Sequence, residues 1–292
     1  MSNPAGSVPI LREMTINNER AKRIQETSLA APINTRIITI SNQKGGVGKT
    51  TTAVNLAAAL ARKGLRVLVI DLDPQGNAST ALGVEHHNQV AGSYEVLVQG
   101  LPMSEAVKSS PEHQNLFCLP ATINLAGAEI EMVDVEEREL VLRKALQQYL
   151  GEVERIDYVF IDSPPSLGLL TVNALSAATE VLVPIQCEYY ALEGVTQLVS
   201  NIERIKRGLN PELVVSSILL TMYDNRTNLS ADVASEVRKF FPVQTLEATI
   251  PRSVRLSEAP SFGQTAISYD PRNTGSLAYQ EAAIELAQRG ER

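Results

Sequence analysis

The stretch Lys44-Gly45-Gly46-Val47-Gly48-Lys49-Thr50-Thr51 follows the apolar run Arg36-Ile37-Ile38-Thr39-Ile40-Ser41. Crowded glycines closed by Lys and Thr make a phosphate-binding loop, G-x-x-x-x-G-K-[ST]. Two frames fit the glycines, and Gly48-Lys49-Thr50 fixes the functional end in both. Gly45, Gly46 and Gly48 let the backbone around Val47 curl until successive N–H groups point inward, forming a concave nest for anions. A helix starting at the loop would add its unpaired N-terminal amides and the positive end of its dipole. In this pattern Lys49 reaches the β- and γ-phosphates of a nucleotide and the Thr50 hydroxyl ligates Mg²⁺. Thr51 is placed to donate to the α-phosphate.

The motif requires a strand before it and a helix after it. Ile37, Ile38 and Ile40 are β-branched and apolar, as a buried parallel strand requires. The segment from Thr52 to Ala61 is rich in Ala and Leu, and Gly64 follows Arg62-Lys63 as a stop. Both conditions are met.

Outward from the loop, strand-like runs recur at 67–71, 116–119, 158–162, 181–185, 214–221 and 246–250. Helix-like runs fall between them, at 51–63, 136–149, 167–178, 191–207, 229–240 and 276–289. This alternation predicts an α/β fold with a single doubly wound, mostly parallel sheet flanked by helices. Residues 1–35 carry Pro4, Gly6, Pro9 and Pro32 and no strong periodicity. They read as a flexible N-terminal extension with a possible short helix within 10–30, ahead of a nucleotide-hydrolysing domain over 36–292.

Composition agrees with one large α/β unit of 292 residues. Hydrophobic residues make up 44%, aromatics 4%, and Trp is absent, which suits a core of Val, Ile, Leu and Ala. The net charge of −7 does not advertise nucleic acid, although a local basic face would suffice to bind it. With no run of about 18 apolar residues and no signal-type opening, the expectation is a soluble cytoplasmic protein. Cys118 and Cys187 each sit beside an apolar run and read as reduced structural thiols.

Two further strands end in carboxylates. Val67–Ile70 runs into Asp71-Leu72-Asp73-Pro74-Gln75-Gly76-Asn77, and Tyr158–Ile161 into Asp162-Ser163-Pro164-Pro165. In a doubly wound sheet these ends face the ligand crevice. Asp162 matches a Walker B carboxylate that holds Mg²⁺ through water. Asp73 is the choice for orienting an attacking water, with Asp71 nearer the metal shell. Phosphoryl transfer needs charge neutralisation, in-line positioning and a placed water, and these groups supply them. No arginine finger is evident; Lys44, in front of the loop, is a candidate to act on the nucleotide of a second subunit.

The front lysine of K-G-G-V-G-K-T-T resembles the deviant Walker A loop of the ParA/MinD group of P-loop ATPases. Asp71–Asn77, Asp162–Leu167, Glu188-Tyr189-Tyr190-Ala191-Leu192-Glu193-Gly194, Leu220–Asp224 and Ile250–Ser261 are similar to segments of ParA/Soj partitioning ATPases, from about residue 36 to the C-terminus. The resemblance implies an ATP- and Mg²⁺-dependent sandwich homodimer, with Lys44 acting on the partner's nucleotide and Asp73 serving hydrolysis. It implies non-specific binding of double-stranded DNA, nucleoid association, and release through hydrolysis stimulated by a ParB-type centromere-binding protein. It also implies that the turn holding Pro251 contacts the base or ribose; Ser253 stands there where Asn is usual.

DNA binding needs basic side chains on one face. The candidates are Arg204, Lys206 and Arg207 at a helix end, Arg226, Arg252 and Arg255 in loops matching the family, and Arg238 and Lys239. An acidic stretch (Glu129, Glu131, Asp134, Glu136, Glu137, Glu139) would face away from DNA, and that face or the N-terminal extension could receive a basic partner peptide. The alternative is a MinD-like positioning ATPase or the partitioning of another cargo. A MinD-like protein would need a basic, bulky amphipathic C-terminal helix. The helix predicted over 276–289 is Ala-rich, with acidic polar positions, and reads as a docking helix. An iron–sulfur carrier would need cysteines at a dimer axis or a C-x-x-C pair. A metabolic synthetase using ATP would leave the E-Y-Y-A-L-E-G and S-E-A-P-S segments unexplained.

Overall fold

The computed structural model describes residues 7–189 and 191–290, without the side chains of residues 7–11 and 191–193. Tyr190, and the side chains of Ala191, Leu192 and Glu193 in E-Y-Y-A-L-E-G, therefore lie outside the described residues.

The strands are β1 (Arg36–Ile40), β2 (Val67–Asp71), β3 (Lys108–Ser109), β4 (Leu116–Leu119), β5 (Tyr158–Asp162), β6 (Glu180–Gln186), β7 (Val214–Tyr223) and β8 (Thr245–Pro251). They form one sheet in the order β3-β4-β2-β5-β1-β6-β7-β8, parallel except where β3 meets β4. The predicted α/β class is the observed one. Every residue of β2 and β5 is buried. Their side chains alternate between two cores: Leu68 and Ile70 pack on one face, Val67 and Val69 on the other. The sheet reverses its direction of growth at β1, between β5 and β6. A crevice therefore opens at the carboxyl ends of the central strands.

The helix Lys49–Arg62 fills the space behind β1 with Ala53, Ala57, Ala58 and Ala61, all buried. Short side chains let it lie close between the sheet and the C-terminal helix Thr274–Arg289. That last helix buries Leu277, Tyr279, Ala282, Ala283 and Leu286, so its apolar side is spent in the core. No helix among the described residues is long and apolar enough to cross a membrane.

The extension over residues 1–35 carries more helix in its described part than the short one expected within 10–30. Residues Ser7–Glu26 form a 20-residue helix laid on the C-terminal helix. Among its described side chains, polar bonds to residues 272–281 hold it together with the buried Ile24. Arg20 grips Glu281 with two bonds of 2.9 and 2.6 Å. Asn17 donates to the carbonyl of Arg272 and the hydroxyl of Thr274. The Lys63 ammonium caps the helix end by donating to the Ile24 carbonyl and, at 2.7 Å, to Thr27. Ile24 is its buried apolar anchor.

Arg36 locks the amino end of the sheet. It donates to both oxygens of Glu180 at 2.7 Å and to the Leu286 carbonyl at 2.6 Å, joining β1, β6 and the C-terminal helix. Both side chains are largely buried, at 11% and 15% exposure. Burial alone would raise the Glu180 carboxyl, but Arg36 outweighs it and holds the group below its ordinary 4.5. A depressed folded value means stability that is present above that ordinary value and lost as pH falls through the folded one. Glu180→Ala should therefore cost about 3–5 kcal/mol in urea unfolding at pH 7, because it strands a buried guanidinium. Glu180→Gln should flatten the acid limb of stability below about pH 4.5. An acid limb unchanged in Glu180→Gln would place the linkage elsewhere.

Candidate functional site

The loop after β1 turns at Gly46 (φ 74°) and Gly48 (φ 90°), left-handed positions that favour glycine. The helix Lys49–Arg62 starts immediately after, so its first amides face the crevice. The Lys49 ammonium reaches back to the Lys44 carbonyl at 3.3 Å and is largely buried. Burial lowers its pKa, while the charges of Asp162 and Asp73 oppose that shift. Asn42 braces the loop, accepting from Lys44 N–H at 3.0 Å and donating to the Pro184 carbonyl at 2.8 Å. The Thr221 hydroxyl pins the Val47 carbonyl from β7 at 2.9 Å.

Asp71 and Asp162 end neighbouring strands in register. Both are fully buried, and both carboxyls are pushed up, by burial first and then by a neighbouring aspartate. Their surroundings differ in kind. Asp71 accepts from Ser79 N–H at 2.9 Å, Ser79 Oγ at 2.7 Å and Asp73 N–H at 3.1 Å. Those bonds occupy both of its oxygens and aim them at the segment after β2. Asp162 has neither carboxylate oxygen in a hydrogen bond. Thr50 lies beside it and eases its charged form without completing a bond.

Two oxygens left unbonded at complete burial are costly unless a cation completes them. Carboxylate and hydroxyl oxygens are the donors that a hard divalent ion takes. Thr50 and Asp162 therefore fit Mg²⁺. Asp71, expected in the metal shell, is occupied instead in holding the turn that carries Asp73. Asp73 is half-buried and accepts from Gln75 N–H at 3.0 Å through one oxygen.

Beside the loop lies a cavity of about 190 Å³ lined by Gly48, Thr51, Thr221, Met222, Pro251 and Ser253, with Leu256 and Tyr279 also on its wall. The structure thus brings Pro251 and Ser253 to the phosphate loop. Ser253 shares a 3.0 Å hydrogen bond with the Asn273 side chain. Sequence reasoning gave no role to Thr221, Met222, Leu256 or Tyr279. The signals at hand were the segments Leu220–Asp224, which holds Thr221 and Met222, and Ile250–Ser261, which holds Leu256. Met222 holds φ 51°, a left-handed conformation unusual outside glycine, at the lip of the cavity.

Lys44 is half exposed and pairs with Glu188 at 3.1 Å. Arg252 stands 3.9 Å from the other Glu188 oxygen.

A family model for an AAA domain matches residues 35–215. The chain is 51% identical over 254 residues to the chromosome partitioning protein ParA of Myxococcus xanthus, covering 87% of this chain and 88% of that one. It is 49% identical over 255 residues to the sporulation initiation inhibitor protein Soj of Bacillus subtilis, covering 87% and 99%. The chain belongs to the ParA/Soj family of chromosome-partitioning ATPases. Among solved structures it resembles cobyrinic acid a,c-diamide synthase from Mycobacterium smegmatis with bound ADP and magnesium. That likeness has a TM-score of 0.73 at 38% identity and covers 85% of this chain and 92% of that one.

The structure divides the basic residues that were expected to share one DNA-binding face. Arg226 follows β7 and Arg252 follows β8, and both line one cleft at the carboxyl edge of the sheet together with Arg20. Arg226 is 84% exposed and forms a two-pronged pair with Asp224. Arg255 is engaged by Glu258 and Asp270. Arg204, Lys206 and Arg207 end the helix Ala191–Gly208, which crosses from the end of β6 to the start of β7. Eighteen residues carry that end roughly 27 Å back toward the amino edge. The six residues therefore do not form one patch.

Cys118 and Cys187 are buried, and burial raises both thiols, Cys187 to about 11.

Proposed function

We propose that this chain is a Mg²⁺-dependent partitioning ATPase that cycles between a free form and an ATP-held homodimer on DNA. The observation that carries the reading is the unbonded, fully buried Asp162 carboxylate behind a phosphate loop whose front lysine stays at the surface. ATP would take its phosphates on the amides of Gly45–Thr51 and on Lys49, with its base or ribose in the cavity walled by Pro251 and Ser253. Bound Mg²⁺, held through Thr50 and Asp162, would neutralise the phosphate charge. Asp73 would orient the attacking water. Asp71 positions Asp73 through Ser79 and the turn between them. Lys44 would act across the interface on the nucleotide of a second copy, which makes the two sites shared.

The dimer would bind double-stranded DNA without sequence preference, mainly through Arg226 and Arg252, and so associate with the nucleoid in the cytoplasm. A ParB-type protein would stimulate hydrolysis and release it. The Asp224–Arg226 pair is exposed and therefore weak enough to open for a phosphate. Arg226→Ala should weaken DNA retention uniformly across sequences and reduce the log–log salt slope by about 1. Arg204→Ala should leave both unchanged. The reverse outcome in filter binding would move the DNA face to the other edge.

The relatives with the higher identities are partitioning proteins, and the synthase likeness supplies the rival. ATP turnover measured with DNA, with the ParB-type protein, with both and with neither separates the two. A partitioning ATPase turns over slowly alone and fastest with both. Strong turnover that ignores both and requires a small carboxylic acid would overturn the reading.

A further inference from the structure

The segment from Ile123 to Glu139 lies outside the nucleotide site. It folds as a 3-10 turn (Ile123–Gly127), a short helix (Ala128–Glu131) and a bend leading to Glu137, whose φ of 52° is left-handed. Leu125, Ala128 and Met132 are buried and anchor it to the core. Its other apolar residues face outward: Ile123 is 54% exposed, Ile130 78% and Val133 55%. Leu167, 46% exposed, belongs to the turn after Asp162. This turn touches the segment, because Glu129 packs against Gly168 and accepts from Leu170 N–H at 3.3 Å. Isolated exposed apolar residues are ordinary, but three on one short segment, tied through Glu129 to the turn that carries Leu167, mark an interaction surface.

The charges around the patch decide its occupant. Glu129, Glu131, Asp134, Glu136, Glu137 and Glu139 lie on the same 17-residue segment, against Arg138 as its one cation. Two copies meeting across a twofold axis would set this acidic rim against itself. A segment with basic residues flanking an apolar stripe matches both the rim and the floor.

We infer that the face formed by Ile123, Ile130, Val133 and Leu167 docks a basic amphipathic segment of the ParB-type partner, and that docking is transmitted to Asp162. This inference rests on the partitioning reading above. The transmission has two fixed points on the helix Leu169–Ala177. Glu129 holds its first turn, and the buried Asn173 donates to the Arg138 carbonyl at 2.8 Å while accepting from Leu142 N–H at 3.1 Å. A partner pulling on this segment shifts that helix, and the five-residue turn between Asp162 and Gly168 must follow.

The test uses the full chain, DNA, ATP and a purified full-length ParB-type protein from the same cell. Ile130→Asp combined with Val133→Asp alters only exposed side chains, so basal turnover and ATP-dependent dimerisation should match the unmodified chain. Partner-stimulated turnover should fall at least tenfold. Glu136→Lys should weaken stimulation less, and more at low salt than at high salt. Hydrogen exchange on the unmodified chain should show residues 123–139 protected by the partner. Full stimulation of the double variant, or protection confined to other segments, overturns the assignment. Loss of dimerisation in the double variant would make a second copy the occupant and overturns it too. If the partner stimulates neither protein, the partitioning reading itself fails and takes this inference with it.

Discussion

Asp73→Ala should bind ATP and form the ATP-held dimer but hydrolyse ATP at least about 100-fold more slowly, even with DNA and partner present. The size follows from its place. Asp73 sits at the mouth of the crevice, with one oxygen bonded to Gln75 N–H, and its charge is felt by Lys49. It contributes nothing to the cradle itself, so ground-state binding should survive and the loss should appear in kcat. Fold stability should also be kept, because the side chain is half-buried and Asp71 retains its Ser79 bonds. Single-turnover hydrolysis and gel filtration with ATP measure the two halves. Normal turnover would exclude Asp73 from water positioning, and a lost dimer would make it a binding residue instead.

Lys44→Ala should do the opposite to assembly. The variant should fold normally and stay monomeric with ATP, with stimulated turnover down by about 10³-fold, the scale of a charge supplied in trans. Its pair with Glu188 is exposed at both ends, so losing it costs little stability. Mixing settles the geometry. Lys44→Ala combined with a cradle-dead Lys49→Ala chain should recover part of the activity, because each heterodimer keeps one intact Lys44 facing one intact cradle. No recovery in mixtures, with dimers still formed by Lys44→Ala alone, would return Lys44 to its own subunit.

The central strands were legible because a parallel sheet buries both faces, so β2 and β5 are unbroken apolar runs that end in aspartate. β3 and the helices Asn77–Ala81, Ser93–Gln99 and Met103–Ala106 were not, since elements of two to seven residues carry too little periodicity. The N-terminal helix was read as flexible because its partners lie about 260 positions away. In the site, the contiguous candidates Lys44–Thr51, Asp73 and Asp162 could be named because each lies in a run that local pattern marks. Asp71 and Asp162 look alike in sequence, each closing a buried strand, and only the Ser79 bonds tell them apart. Thr221, Met222 and Tyr279 reach the cavity from distant segments by packing, and the segment Leu220–Asp224 marks the first two without showing what they meet. Met222 is a sharper case, because a left-handed residue that is not glycine leaves no compositional trace.

The clasp between Asn17 or Arg20 and residues 272–281 sets an order of events during synthesis. Arg20 of the helix Ser7–Glu26 is made 261 residues before Glu281, the carboxylate it grips. Until the helix Thr274–Arg289 is made, Ser7–Glu26 has no dock, while the strands between them pair and pack in turn. Short isolated helices are marginal in water, so it must wait, partly unwound, until Glu281 clears the exit. Closure of the clasp then reports that the helix Thr274–Arg289 is in place: a chain lacking that helix would expose Ser7–Glu26 to proteases.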